Sequence, residues 1–260
     1  MRLEYTAPNG TRVDLFDNDA GVWVEQDTIE GFVAQIEDTP ITTIGVPGAR
    51  VDLRDRTIAQ MRGAFTLVVD TSEKWATVRT WFSTTTVGLL RLTHSGRSLA
   101  TLVRLAGPLT FPPSAPTAGA RIRVELVADA GLWFEQHEHR GNTLQLNNDG
   151  GVACAPYLYL APADAGTLRL PSGLELPIPQ AEQREQGWLS LAARDYGAVF
   201  KQPPQQYPRE ILTGRTTQLR AAQFVGEDTP PGHQRVYTFT PTSTATTLWR
   251  WFVGKFDPWT

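Results

Sequence analysis

The chain has 260 residues, of which 41% are hydrophobic and 20% charged, with a formal net charge of −3 at pH 7. This composition is typical of a folded protein of one large or two small domains and excludes a disordered chain. The slightly acidic balance argues against nucleic acid as the main ligand, and the single cysteine, Cys154, excludes an internal disulfide and a cysteine-based zinc site.

The first half of the sequence is a series of short strand patterns separated by turns. A strand is predicted at 12–16, a turn at 17–21 and a second strand at 22–25. Residues 51–58 alternate between apolar and charged side chains, which predicts a strand with one charged face. The continuous apolar run at 64–69 predicts a strand in a sheet that is covered on both faces.

One helix is predicted in this half, over residues 73–83. Asp70 is placed to cap its N-terminus, and Glu73 follows three residues later in the spacing of a capping box. Apolar side chains then recur at helical spacing, so we expect them to pack the helix on the sheet. These side chains are Trp75, Val78 and Phe82.

A long hairpin is predicted after the helix. Strands at 89–92 and 98–105 flank a turn at 94–96. The segment 106–120 is rich in Pro and Gly, and alternation resumes at 121–127. We interpret the segment as the loop of a hairpin arm.

The second half shows turn signals about every 8–12 residues, the spacing of a β-sandwich. Strands are predicted at 144–146, 157–160, 167–170, 174–176, 188–191, 236–239 and 247–252. The expected core consists of Leu158, Leu160, Leu189, Leu191, Tyr237 and Phe239. The polar stretch 136–143 lies between the two β-patterned halves and predicts a domain junction with few crossing contacts.

The sequence contains no motif from which we assign a catalytic, cofactor-binding or metal-binding residue, so the chain is not expected to be an enzyme. His137 and His139 would share one face of a strand, where two imidazoles can hold a metal. No third ligand follows at a suitable spacing, so two exposed histidines at the junction are the favoured interpretation. The segment 17–21 lacks the glycine and glutamate positions of a calcium loop and is interpreted as a simple turn.

Two other residue types have a structural and a functional interpretation. Cys154 lies between alanines and is expected to be a small buried hydrophobe rather than a nucleophile. Tryptophans could line a sugar-binding surface, although their commoner role is to anchor cores and interfaces. The tryptophans considered are Trp23, Trp133, Trp188, Trp249, Trp251 and Trp259.

Composition also bears on location and on interfaces. No stretch approaches the ~20 apolar residues of a membrane helix, and the N-terminus lacks the apolar part of a secretory signal, so we expect synthesis in a cytoplasm. The chain has 21 Arg but only 3 Lys. This ratio fits either a GC-rich genome or extensive interfaces, where Arg is enriched and Lys depleted.

The order of these features resembles the distal tail protein (Dit) family of long-tailed bacteriophages. In the first half, the resemblance lies in an early strand, a charged strand, a buried strand, a helix and a long hairpin, here at 22–25, 51–58, 64–69, 70–82 and 98–127. The segment 121–134 is similar to the end of the family's first domain, with Ala130 where the family usually has Pro. In the second half, the segment 148–160, the strand at 188–195 and the final aromatic residues Trp249, Trp251 and Trp259 resemble the family's galectin-like sandwich.

The resemblance implies a mainly β fold. A first domain at 1–138, a β-sandwich or split barrel with one helix and a long hairpin, would form a ring. A galectin-like β-sandwich at 139–260 would follow. No cofactor or metal is implied.

The family resemblance also implies a structural role in the virion. Such proteins form a hexameric ring that joins the tail tube to the tail-tip hub or baseplate and leaves a channel through which DNA passes. The expected partners are copies of the chain, the tail tube protein and tail-tip proteins, with assembly in the host cytoplasm and no membrane. The alternatives are another tail-tip adaptor or hub, usually trimeric, and a carbohydrate-binding module for a host-wall glycan.

Overall fold

The structure is a computed structural model that describes residues 1–38, 57–109, 119–181, 185–203, 209–243 and 247–259, with the single positions 40, 42, 44 and 47. The chain forms two compact units, Met1–Glu135 with Lys255–Thr260, and Gln136–Gly254. The unit boundary thus lies after residue 135, where the sequence predicted 138, and the last six residues are grouped with the first unit. The mainly β architecture confirms the predicted fold class.

The first unit is built from antiparallel sheets. Its strands are β1 (Arg2–Thr6), β2 (Arg12–Asp14), β3 (Val22–Val24), β4 (Glu30–Gly31), β5 (Ile36–Glu37), β6 (Thr57–Ile58), β7 (Met61–Val69), β8 (Gly88–His94), β9 (Arg97–Leu105) and β10 (Ala120–Ala128). One sheet has the order β2-β1-β8-β9. In the other, β10 pairs with β7 over nine residues, and β3 and β4 pair with β7. β9 also pairs with the end of β10, so it takes part in both sheets.

The helix in the first unit, α1 (Ser72–Trp81), is shifted relative to the prediction. Its N-cap is Thr71, not Asp70: the Thr71 hydroxyl accepts a hydrogen bond from the Lys74 backbone N at 3.3 Å. The backbone N of Asp70 instead donates to the Gly21 carbonyl at 3.0 Å, which holds Asp70 beside β3. The helix ends at Trp81 rather than at residue 83, because Phe82 already has an extended backbone.

Aromatic side chains fix the end of α1 in the core of the first unit. The Tyr5 hydroxyl donates to the Trp81 carbonyl at 3.0 Å, and the ring of Phe82 stacks on that of Tyr5 with 4.7 Å between centroids. The three side chains that were predicted to pack the helix are all buried, namely Trp75, Val78 and Phe82. Gly88 faces this cluster, and a Cβ atom there would lie 2.3 Å from the Tyr5 hydroxyl oxygen. The position therefore accepts no larger residue.

Two predicted turns in the first unit are confirmed. At 17–21, the Asp17 carboxylate accepts from the Asp19 backbone N at 3.0 Å, and Gly21 has φ +74°. At 94–96, Ser95 and Gly96 both have positive φ, as a tight hairpin between β8 and β9 requires. Residues 51–56 of the predicted charged strand and 110–118 of the predicted hairpin loop lie outside the described residues.

The second unit is a sandwich of two antiparallel sheets, as predicted. Its elements are β11 (Trp133–Arg140), which begins in the first unit, β12 (Thr143–Asn147), β13 (Tyr157–Leu160), β14 (Gly166–Arg169), β15 (Glu175–Ile178), β16 (Gly187–Ser190), β17 (Val199–Phe200), α2 (Thr213–Ala221), β18 (Gln234–Pro241) and β19 (Leu248–Lys255). One sheet has the order β12-β18-β14-β15, and the other contains β17-β16-β13-β19. All six predicted core residues are buried between them.

The polar stretch 136–143, which the sequence predicts to be a domain junction, begins at the boundary between the two units and is largely strand, because β11 runs to Arg140 and β12 starts at Thr143. The helix α2 was not predicted. In the described part of the chain, no helix is long and apolar enough to cross a membrane.

Candidate functional site

Charged side chains of both signs cover the outer face of the β10–β7 sheet in the first unit. Alternation along β10 turns Arg121, Arg123 and Glu125 outward, while Ile122 and Val124 enter the core, as the sequence predicts. The residues opposite them on β7 are small or medium in size: Val68, Thr66 and Ala64. Because these side chains are short, the arginines can reach across β7 to the acidic residues beyond it.

Among the described residues, four ion pairs order this charged face. Arg121 Nε lies 2.8 Å from a Glu25 carboxylate oxygen. Arg123 bridges two carboxylates, with Nη2 2.9 Å from Glu30 and Nε 3.2 Å from Glu125. Arg104 binds both carboxylate oxygens of Asp129, one through Nε at 2.8 Å and the other through Nη2 at 2.7 Å.

These pairs hold long side chains in place, and the pair between Arg123 and Glu30 also changes a pKa. The hydrogen bond from Arg123, followed by its charge, lowers the pKa of Glu30 below the usual value. Exposed ion pairs add little to folding stability. Their main physical effect is to present a regular array of fixed positive and negative groups, which suits contact with another polar surface of complementary pattern.

Only some residues of this charged face could be predicted from the sequence. Its β10 residues were predicted to point outward, whereas Glu25 and Glu30 come from residues nearly 100 positions earlier and become partners only through the sheet. The strand predicted to carry closely spaced charges, 51–58, is described only at Thr57–Ile58.

In the second unit, two arginines lie against aromatic side chains on the outer face of the β17-β16-β13-β19 sheet. The Arg250 guanidinium lies 4.5 Å from the centre of the Trp188 ring, and Arg209 lies 5.0 Å from that of Phe200. Arg209 also donates to the Tyr157 hydroxyl at 3.2 Å. Because Trp188, Tyr157 and Phe200 are each less than a tenth exposed, they offer no open ring on which a sugar could stack.

Three of the six tryptophans, Trp133, Trp188 and Trp249, follow the core interpretation, whereas Trp23 and Trp251 are partly buried and Trp259 is exposed. Trp133 and Trp249 are fully buried in their respective units, and Trp188 is nearly so. The Nε1 atom of Trp133 donates to the Phe32 carbonyl at 2.8 Å, and that of Trp249 donates to the Gly141 carbonyl at 2.7 Å. The interpretation in which all six tryptophans line one sugar-binding surface is therefore wrong.

The two histidines considered as metal ligands lie on β11, where each is half-buried rather than exposed. The His137 ring stacks on Trp251 at 5.1 Å between centroids. Glu138, between the histidines, binds Arg250 at 2.9 Å. Within the described ranges, no group of three His, Cys, Asp or Glu side chains is arranged to hold a metal ion.

Cys154 is a buried residue of the second core, as predicted. Its backbone pairs with that of Thr229, and burial is the main cause that raises the pKa of its thiol to about 12. Since the thiolate is the reactive form, we expect native chain at pH 8 to react with a thiol reagent at least about 100-fold more slowly than urea-unfolded chain. Stopped-flow labelling measures both rates, and a native rate within tenfold of the unfolded rate would contradict the assignment.

Comparison with known proteins establishes the fold. No protein-family model and no curated protein matches the sequence. Among solved structures, the chain is similar to the Dit protein (gp19.1) of phage SPP1, described as a paradigm of the hub adsorption apparatus in phages that infect Gram-positive bacteria. The identity is 9%, the match covers 97% of this chain and 98% of that one, and the TM-score is 0.59.

The chain is also similar to a chain of the phage P2 baseplate in its activated conformation. For the baseplate structure with calcium, the identity is 8%, the match covers 96% of this chain and 97% of that one, and the TM-score is 0.58. For the structure with strontium, the identity is 9%, the match covers 96% of this chain and 97% of that one, and the TM-score is 0.55. The chain therefore has the fold of these tail proteins, as its resemblance to the distal tail family predicts.

Proposed function

We propose that this chain is a distal tail protein, a non-catalytic structural protein that joins the tail tube of a long-tailed phage to its tail tip or baseplate. The observation that carries the proposal is the extent of the likeness to the SPP1 Dit protein, which spans 97% of this chain and 98% of that one. A single β-sandwich is a common fold and would say little about function. A likeness that includes both units in the same chain order supports a shared construction.

The proposed assembly is a hexameric ring with its contacts in the first unit. A ring needs a heterologous contact, in which one surface of a copy meets a different surface of the next. The charged face around Arg121, Arg123 and Glu30 supplies fixed groups of both signs for such a contact. The excess of 21 Arg over 3 Lys fits the composition of protein interfaces.

The remaining partners follow from the same role. The ring would bind the tail tube protein on one side and tail-tip proteins on the other, in a virion assembled in the host cytoplasm. DNA would pass through the channel without lasting contact. The net charge of −3 supports this, because a basic lumen would retain a passing polyanion.

The assembly state of the purified full-length chain tests the proposal. Six chains of 28.7 kDa give about 172 kDa, and we expect this species in native mass spectrometry at micromolar concentration, with a central hole in negative-stain images. A chain that stays at 28.7 kDa under these conditions would contradict the ring. A trimer would favour the alternative of a tail-tip hub.

A matched pair of variants locates the ring contacts. Replacing both Arg121 and Arg123 by glutamine removes two cations from the charged face, and we expect the hexamer fraction to fall at least about tenfold. The control is Arg169→Gln, which removes an exposed cation from β14 in the second unit. It should leave the hexamer intact if the contacts lie in the first unit.

A further inference from the structure

Among the residues that the structure describes, the four-stranded sheet of the second unit has one edge strand whose outer side is neither paired nor protected. Its order is β12-β18-β14-β15, so β12 and β15 are the edge strands. Such edges carry unpaired backbone N–H and C=O groups and are templates for pairing with another chain unless they are protected. The two edges of this sheet differ in that protection.

The alternation of hydrogen bonds between β12 and β18 shows which backbone groups of β12 point outward. The Asn148 backbone N donates to the His233 carbonyl at 3.0 Å, and the Phe239 N donates to the Asn142 carbonyl at 2.8 Å. In an antiparallel ladder such bonded positions alternate with positions whose main-chain groups face away. Thr143, Gln145 and Asn147 therefore direct their N–H and C=O groups to the open edge.

The side chains of β12 leave this edge accessible. Leu144 and Leu146 are buried in the core, whereas the side chains of Thr143, Gln145 and Asn147 are exposed and uncharged. In the described part of the chain, no other strand pairs with β12 besides β18.

The opposite edge is protected. The Leu170 backbone N donates to the Leu174 carbonyl at 2.9 Å, so the outward-facing positions of β15 are Glu175 and Pro177. Proline has no N–H group to offer a further strand, and the glutamate adds a charge, both of which are known means of blocking an edge. β12 has neither device.

We propose that β12 is an intermolecular pairing site and that its occupant is β12 of a second copy, antiparallel about a twofold axis through Gln145. In this register, Gln145 lies opposite Gln145 of the other copy, and Thr143 lies opposite Asn147. Each outward N–H meets a carbonyl, which makes three reciprocal pairs of hydrogen bonds.

The strand is complementary to itself. None of the side chains that would meet across the axis is charged, so self-pairing brings no like charges together. Beside Gln145 on the same face lies Val236 of β18, which is 48% exposed and supplies an apolar neighbour for the added strand.

This contact is distinct from the proposed ring. A twofold contact is isologous and uses the same surface on both copies, whereas ring contacts are heterologous. An edge of five residues buries less than the roughly 1,200 Å² of a stable interface. The contact is therefore weak on its own, and covalent trapping is the appropriate measurement.

The test is disulfide trapping in the full-length chain. In Gln145→Cys, the two cysteines would face each other with Cα atoms about 5.5 Å apart, within disulfide range. We expect mild oxidation to produce a reducible dimer on a non-reducing gel, whether or not rings form. The matched control is Thr143→Cys, whose two cysteines would have Cα atoms about 14 Å apart. It should yield at least about tenfold less dimer, and adding Asn147→Cys to it should restore the dimer.

A blocking variant makes the test specific to strand pairing. Gln145→Pro removes one outward N–H, as Pro177 does on β15, and spares the bonds to β18. Added to the Thr143→Cys, Asn147→Cys pair, it should abolish the dimer while the circular dichroism spectrum stays unchanged. Equal trapping of Gln145→Cys and Thr143→Cys, or trapping that survives Gln145→Pro, would overturn the proposal. The proposal would also be overturned if Gln145→Cys formed no disulfide dimer while Gln145→Pro lost binding to another tail protein. In that case a strand of the other protein would occupy the edge.

Discussion

Replacing Trp75 by alanine is expected to lower the free energy of unfolding by about 3–5 kcal/mol. Trp75 lies in the first turn of α1, is 4% exposed and belongs to the core cluster of the first unit, together with Val78 and Trp81. Truncation removes a large buried surface and leaves a cavity in the core of the first unit. Urea denaturation followed by circular dichroism measures the loss.

The control for Trp75 lies on the opposite face of the same helix. Thr77 is exposed, and its hydroxyl donates a local hydrogen bond to the Glu73 carbonyl at 3.2 Å. Thr77→Ala should change the free energy of unfolding by less than about 0.5 kcal/mol. If Trp75→Ala costs under about 1 kcal/mol, Trp75 does not anchor the helix.

The strands were predictable because their signals are local. Alternation placed Ile122, Val124 and Leu126 inside, and turn residues marked the ends of most strands. The first residue of α1 was less predictable, since Asp70 and Thr71 can both cap a helix. In the structure Thr71 is the cap, and the Asp70 backbone N continues the pairing of the sheet by donating to the Gly21 carbonyl, a contact that the local sequence does not reveal.

The helix α2 could not be predicted from the local sequence pattern. It buries Arg215, Thr216 and Leu219, so its inward face is mostly polar and lacks apolar side chains at helical spacing.

The candidate surfaces could not be predicted from local patterns either. A strand around 144–146 was predicted, but its place at the edge of a sheet depends on the order β12-β18-β14-β15, which arises from pairing between distant segments.

Replacing Arg215 by methionine is expected to lower the free energy of unfolding of the second unit by about 3–5 kcal/mol. Arg215 is 1% exposed. Its Nη1 donates to the carbonyls of Ala161 and Glu185 at 3.0 and 3.2 Å, and its Nη2 donates to that of Asp164 at 2.7 Å. The guanidinium thus links α2 to two other segments of the chain.

The electrostatics of this site explain why removal of the arginine should be costly. Burial is the largest influence and lowers the pKa of Arg215, while the charges of Asp164 and Glu185 act in the opposite direction. Methionine would fill much of the space. It would remove the Arg215 hydrogen bonds to the Asp164 and Glu185 carbonyls, while the Ala161 carbonyl keeps its bond from the Asp164 backbone N at 3.0 Å, and it would leave the buried Asp164 carboxylate without this neighbouring cation.

Two further variants separate charge from packing in the Arg215 experiment. Arg215→Lys keeps the cation, but one ammonium cannot reach all three carbonyls, so we expect an intermediate loss. Arg220→Met changes an exposed arginine of the same helix, whose Nε donates to the Tyr196 carbonyl at 3.2 Å, and it should cost less than about 1 kcal/mol. Chemical denaturation of the three variants gives the order. If Arg215→Met were as mild as Arg220→Met, methionine would pack as well as the hydrogen-bonded guanidinium, and Arg215 would not be what links α2 to the sandwich.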